Sequence, residues 1–486
     1  MKIKQIILSC VTGYFLASCA LLGPKYQEPN IDKPNNWKSN SINAISESTN
    51  VAEMAWWKKF NDTQLNQLIE SALTNNNDLQ SAMGNMLQAQ ASLRQVEMGW
   101  VPTIGLSAGA MTGGMSTYGS SSMMPMQNGY QTFNSNTLMA LPSYTLNIFE
   151  QIKKGEIAKL NLQMQTQAKN AVRLGVITQV ANSYFTLLGL HKQLALQEQT
   201  LKDAEALNKS FETKYKYGST SDTSLEGMAQ YLTTIKANIP MIKANINQTE
   251  NALQVLTNNN PNTIKLNNKF DNISTKNIVP VNLPSEVLKT RPDVIMSEYQ
   301  LKLANANIGA ATAQFFPSIS LTSPLGQGNM ALGNLFNGGA DFWTTQINAA
   351  MPFFNLALYS EIDKAKASYY SAYYNYINTV RTAFSQVDNG LNKNDSLTNN
   401  LEQKDEAIRR ATNIYNISIK QYKLGSVAYS DTIGNKLNID YAKAQQNDIK
   451  IQQLQSLVNL YQALGGGYMV ESELTQVKKF NDSHDI

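Results

Sequence analysis

The 486-residue chain carries one motif twice, 215 positions apart, and that repetition limits its fold more than any other feature. In the copy at residues 291–322, Ile295, Tyr299, Leu303, Ala306 and Ala310 recur at helical spacing among Ala, Leu, Gln and Lys. Pro292 suits a first helical turn, which needs no amide donor. After Pro317 the period becomes two: Ile319 and Leu321 fall on one side of a strand, Ser318, Ser320 and Thr322 on the other. A strand with lipid on one face and water on the other alternates in this way. The earlier copy opens at Asn77-Asp78-Leu79, runs through Ala89, Ala91 and Val96, stops at Trp100 and Pro102, and then alternates over 103–110. Asp78 matches Asp293 and Pro102 matches Pro317 in register, so the chain reads as one elongated architecture of two like halves.

The remainder of each half repeats too. In the first, over 52–261, Asp62 starts a helix of about 35 residues that ends near Trp100. Strand 103–110 follows, then a Gly/Ser/Met/Asn-rich surface loop over 111–136, and a returning strand over 137–149 that contains Pro142. A helical hairpin over 150–256 turns at Gly218. In the second, over 285–470, strand 317–323, loop 324–341 and strand 343–351 lead into a hairpin over 356–464 that turns at Gly425. Leu454, Leu457, Tyr461 and Leu464 form a coiled-coil seam in its return arm, and Gly465-Gly466-Gly467 stops it. Residues 262–284 link the halves, and 471–486 form a tail.

Charged residues make up only 16% of the chain, unlike a soluble coiled coil laced with Glu–Lys pairs. Residues 1–18 have Lys2 and Lys4 before an apolar run, an export signal too short to span a bilayer stably. The signal ends in Leu16-Ala17-Ser18-Cys19, which resembles the bacterial lipobox, so Cys19 is expected to become the lipid-modified first residue of the mature protein. Cys10 leaves with the signal, and Cys19 then has no partner for an internal disulfide. One acyl group anchors weakly, so a second hold on the membrane is expected, with 19–51 as an extended tether. Without Lys2 and Lys4, 38 basic residues face 36 acidic ones, and this near-neutrality gives no support for a nucleic-acid partner. His191 is the lone histidine of the body, and no metal cluster, nucleophile elbow or phosphate loop occurs. No enzyme, cofactor or metal is expected.

Together with Arg291-Pro292-Asp293-Val294, Phe315-Phe316-Pro317-Ser318-Ile319, Tyr422-Lys423-Leu424-Gly425 and Ala463-Leu464-Gly465-Gly466-Gly467, this plan resembles the TolC-like outer-membrane efflux factors. The lipobox places the likeness in their lipoprotein branch, which serves resistance-nodulation-division pumps. The resemblance implies a mixed α/β membrane protein. It is a homotrimer whose chains give four strands each to a shared twelve-stranded outer-membrane barrel, continued by an α-helical coiled-coil periplasmic tunnel. Implied partners are a periplasmic adaptor, an inner-membrane transporter and outer-membrane lipid. The implied role is passive export of drugs or other small toxic compounds. The duct of a type I protein-secretion system and a structural or adhesive lipoprotein are the alternatives.

By the same resemblance, Gly218 and Gly425 mark tips that meet the adaptor, and Asp431, Asp222 and Tyr422 are candidates for a periplasmic gate. The residues also fit a plainer reading: both Asp residues lie where helix N-caps form, and a Tyr in a helix seam packs. Gly434 stands where relatives carry a second acidic residue, and Val427 replaces a polar or basic gate partner.

Overall fold

A computed structural model describes residues 23–32, 51–116, 130–275, 278, 285–336 and 339–470. Cys19, the 1–18 leader and the 471–486 tail lie outside the described residues. Two units divide the chain. One holds 87–163, 299–374 and the N-terminal segment up to Glu28; the other holds the rest.

The first unit is built on one antiparallel sheet. Strands β1 (Thr103–Ser116) and β2 (Tyr130–Leu146) pair from Thr103 opposite Ser143 to Ser116 opposite Tyr130. The other edge of β2 takes β3 (Ser318–Thr322) and β4 (Leu325–Asn329). These pair in turn with β6 (Gln346–Ala350) and β5 (Ala340–Trp343), respectively. Tyr144 faces Leu321 and Ala140 faces Leu325, so the register is unchanged across the gap between β3 and β4. Leu321 opposite Ile347 and Leu325 opposite Trp343 preserve it on the far side. The six strands are therefore four staves, two of them interrupted.

The interruption has a chemical cause. Pro142 and Pro324 meet there, and neither carries an N–H for the ladder. What bonding remains comes from Ser323 N, which donates to Pro142 O at 3.0 Å, and Thr344 N, which donates to Pro324 O at 3.0 Å.

Several sequence expectations change here. The segment 324–341 is not one loop, because it contains β4 and β5, and the strand expected over 343–351 is divided at Thr344-Thr345. Likewise β1 and β2 extend into the segment read as a loop over 111–136. The strand expected to reach Phe149 stops at Leu146, because Asn147 begins a helix: its Oδ1 accepts Glu150 N at 3.1 Å while its Nδ2 donates to Ala313 O at 3.3 Å.

Helix α5 (Pro292–Ala313) carries the N-terminal segment of this unit. Asn305 Nδ2 donates to Pro24 O at 2.8 Å, and Lys302 Nζ lies 5.2 Å from the Tyr26 ring centre. Gly23 comes so close that a Cβ on it would lie 2.7 Å from Gly309 Cα.

In the second unit the expected 35-residue first helix is two, α1 (Thr63–Asn75) and α2 (Asn77–Met98). Asn76 breaks the run with an extended backbone (ψ 127°). Its Oδ1 accepts Leu79 N at 3.1 Å and its Nδ2 donates to Leu256 O at 3.0 Å. Helix α3 (Ile148–Lys216) is unbroken over 69 residues. Helices α4 (Asp222–Leu256), α6 (Leu356–Lys423) and α7 (Tyr429–Ala463) complete the hairpins.

Aromatic rings fill the core of this unit. Trp56 is fully buried and stacks on Tyr461 with centres 5.0 Å apart, and Phe60 meets Phe185 at 4.7 Å. Asp62 caps α1 by accepting Gln64 N at 2.9 Å and Leu65 N at 3.0 Å, and it takes the Tyr184 hydroxyl at 2.8 Å. Burial first, and then that carboxylate, raise the Tyr184 hydroxyl above its ordinary pKa.

Two motifs distant in sequence meet at Arg291. Its Nε and Nη2 hold the Asp293 carboxylate at 3.0 and 2.7 Å, Nη2 also reaches Gln386 Oε1 at 2.8 Å, and Nη1 donates to Ala463 O at 2.6 Å. Gly465 (φ +68°) lies against Arg291, and Gly467 (φ +91°) against Trp56 and Trp57.

Candidate functional site

The register sorts the sheet into two chemically different faces. One carries Ile104, Leu106, Leu138, Tyr144, Leu146, Ile319, Leu321, Leu325, Ile347 and Trp343. The other carries Thr103, Ser107, Thr137, Ser143, Thr145, Ser318, Ser320, Thr322, Gln346 and Asn348, with Met111, Met139, Leu141 and Phe342 among them, while Gln327 and Asp341 fall on the first. Leu106, at 85% exposed, and Ile104, Ile347 and Trp343 lie open in the single chain. An apolar face of this extent left in water would aggregate, and in a bilayer it is the stable arrangement.

The aromatic residues that bracket the strands divide between two roles. Phe149 packs on Phe316 at 4.3 Å and Phe315 on Tyr359 at 5.1 Å, a junction contact. Trp343, Phe353 and Phe354 remain exposed, as interfacial side chains do. Both edges of the sheet are open as well. Among the described residues β1 pairs only with β2, and β5 and β6 pair only with β4 and β3. Unpaired edge groups are not tolerated in hydrocarbon.

The hairpin tips are built alike. Gly218 (φ +67°) and Gly425 (φ +74°) end α3 and α6 in left-handed backbone, with open space around each. Ser219 N donates back to Lys214 O at 2.7 Å and Ser426 N to Gln421 O at 2.9 Å, closing both helix ends in the same pattern. Asp222 is exposed in the first turn of α4. The cap there is Ser221, which accepts Ser224 N at 3.3 Å, while Asp222 hydrogen-bonds Tyr215 and thereby raises that hydroxyl above its ordinary pKa. Asp431 is exposed three residues into the return turn. Its carboxylate accepts Ala428 N at 3.3 Å and the Ser430 hydroxyl at 3.3 Å. Ser430 in turn accepts Lys214 Nζ at 2.6 Å, a link from α3 to α7. The Tyr422 ring lies 5.3 Å from Tyr429. Asp431 is thus the third residue past the N-cap position Ala428, whose backbone N–H its carboxylate accepts, and at the other tip the cap is Ser221, not Asp222.

Comparison with known proteins identifies this combination. The profile of the family described as "Outer membrane efflux protein" matches residues 68–259 and 283–466. The chain belongs to that family. It is an outer-membrane efflux channel component of TolC-like fold. "Probable outer membrane lipoprotein SilC" of Salmonella typhimurium is 30% identical over 477 residues, covering 96% of this chain and 99% of its own. The toluene efflux pump outer membrane protein TtgC of Pseudomonas putida is 28% identical, covering 96% of each chain. The open state of the MtrE outer membrane channel of Neisseria gonorrhoeae superposes with a TM-score of 0.78 at 26% identity, over 92% of this chain and 98% of that one.

Within this family framework the structure adds a group that the sequence reading passed over. Lys436 and Asp440 are one helical turn apart on α7, and Asp203 reaches them from α3. The one-turn spacing was visible in the sequence. The third member, more than 230 positions earlier, becomes a neighbour only when the helices pack.

Proposed function

We propose that three copies of the chain close one twelve-stave barrel and form a passive exit duct for drugs or other small toxic compounds. The chain's two repeats, 52–261 and 285–470, each supply two staves. The observation that carries this is the sheet: four staves, one mainly apolar face, a second face that holds most of the strand hydroxyls, and two open edges. Four staves leave no room for a watery lumen, and further copies of the same edges satisfy the unpaired groups. Cys19 supplies a lipid anchor in the outer membrane. Gly23 is docked on α5 only four residues after it, a reach of at most about 14 Å.

An inner-membrane transporter provides energy through a periplasmic adaptor that meets the Gly218 and Gly425 tips. The duct opens by an iris-like movement of the hairpins at 218–224 and 425–434. Asp431, Asp222 and Tyr422 are its gate residues, and three copies of Asp431 around an axis make a cation-attracting constriction. The name of TtgC, a toluene efflux pump outer membrane protein, supports an efflux role over protein secretion.

Single-channel recording in a lipid bilayer tests the gate. Asp431→Ala should conduct more than the parent, and unchanged conductance removes Asp431 from the gate. Asp431→Asn keeps a cap without the charge, so an increase confined to Ala assigns the effect to the cap alone.

A further inference from the structure

Near the tips, α3, α4 and α7 pack around Ala204, Leu207, Met228, Ile235, Ile433 and Leu437. Beside this apolar cluster three charged side chains meet. Lys436 Nζ lies 3.0 Å from Asp440 Oδ1 and 3.3 Å from Asp203 Oδ2, and Asp203 Oδ2 also accepts Gln199 Nε2 at 2.9 Å. Asp440 is 2% exposed, and its Oδ2 has neither solvent contact nor a hydrogen-bond donor among the described residues. Two ionised carboxylates against one ammonium would leave a surplus negative charge there. They would also leave an oxygen that had lost its water and gained nothing. One proton removes both costs, because it cancels the surplus charge and makes Asp440 a donor toward Asp203.

We propose that Asp203 and Asp440 form a proton-binding site, with one proton held between the two carboxyl groups and carried by Asp440, fastening α7 to α3. The titration directions agree. Burial, and next the bond to Asp203, push the Asp440 carboxyl above the ordinary aspartate range. Burial pushes Asp203 up as well, but bonds from Gln199 and Asp440 and the Lys436 charge outweigh it, and its carboxyl titrates below that range. The other titratable group facing the pair is Tyr231 of α4, raised by burial and then by the Asp440 charge. On α6, this level falls between the Ser418–Thr432 and Lys404–Gln445 contacts. Glu406 pairs there with Arg409 and Arg410 at 2.6 Å, exposed to water. Glu205 and Lys236, 3.4 Å apart, form an exposed pair between α3 and α4.

The sign follows from these directions. The neutral Asp440 contribution is complete at low pH and is lost as pH rises through its raised pKa. The ionised Asp203 contribution is lost as pH falls below the ordinary aspartate range. The seam is tightest between the two. Asp440 lies about 13 Å along α7 from Asp431. On the iris reading, on which this consequence rests, alkaline pH loosens the seam beneath the gate.

The test uses the full-length protein in detergent, with thermal unfolding followed from the ordinary aspartate range at about pH 4 up to about pH 9 and infrared difference spectra taken across the same range. The parent should lose stability as pH rises and lose a carboxylic-acid carbonyl band with it. Asp440→Asn, a permanent neutral mimic, should match the parent at the acid end, exceed it at the alkaline end and lack the band. Lower stability of Asp440→Asn at the alkaline end, as an ordinary ion pair with Lys436 requires, would overturn the proposal, and so would persistence of the band. If Asp440→Asn does not fold, Asp203→Asn decides: without the neighbouring carboxylate the slope should move to lower pH, and an unmoved slope overturns the site. Bilayer conductance against pH tests the link to the gate separately. A slope in unfolding with none in conductance leaves the proton in place and removes its connection to the iris.

Discussion

Gly218 and Gly467 share a left-handed backbone at φ +67° and +91°, but their surroundings differ. Nothing lies within 4 Å of a Cβ added at Gly218, whereas one at Gly467 would lie 2.7 Å from the Trp57 ring, which is buried. Gly218→Ala should therefore cost about 1 kcal/mol, the left-handed penalty alone. Gly467→Ala should cost about 3 kcal/mol or more, since the ring must move as well. Unfolding temperatures of the two variants check the ordering. At this scale the sequence was legible where a residue acts on its own neighbours: Asp62 as a cap, and the glycines as helix stops. It was not legible where the partner is remote. Arg291 reaches Gln386 and Ala463, 95 and 172 positions away, and nothing local to Arg291 specifies either. The Asp203–Lys436–Asp440 group was hidden for the same reason.

Elements were readable in proportion to their hydrophobic period. The hairpin helices differ by a residue or two from their expected ends, because Ala, Leu, Gln and Lys run long and glycines close the turns. β4 was missed because Gly326, Gly328 and Asn329 have weak intrinsic strand preference, and β5 because it is four residues long and half of them are Ala340 and Asp341. β4 is paired by β2, whose backbone approaches so closely that a Cβ at Gly326 would meet Leu138 O and Met139 Cα, and β5 is paired in turn by β4. The repeat opened a helix at Asn77, yet the first helix was also run from Asp62 to Trp100, because Asn is tolerated in helices and the capping bonds that make Asn76 a break appear only in the fold. The two faces of the sheet yield a prediction at this scale. Leu106→Lys, on the apolar face, should destabilise the membrane-inserted barrel by about 2–4 kcal/mol and reduce assembled protein. Ser107→Lys, one residue along and on the opposite face, should assemble normally and lower cation conductance. Heat-resistant oligomer on a gel and bilayer recording measure the pair.

For the whole molecule, the account requires that a single chain be incomplete. Its sheet presents apolar side chains and two unpaired edges that no described residue of the same chain covers. Closure by identical copies satisfies both demands at once, and a cyclic assembly repeats one contact between unlike edges. The duplication pointed to one elongated architecture of two like halves, and the resemblance supplied the shared cylinder. The number of copies comes from the family resemblance, which implies three chains and twelve staves; geometry by itself requires only more staves than one chain's four. The most direct measurement is the native mass of the detergent-solubilised full-length protein. Three processed chains, each the 53.8 kDa chain less its 18-residue leader and carrying the Cys19 lipid, is the predicted mass, and a single chain that stays soluble once detergent is removed would contradict the account.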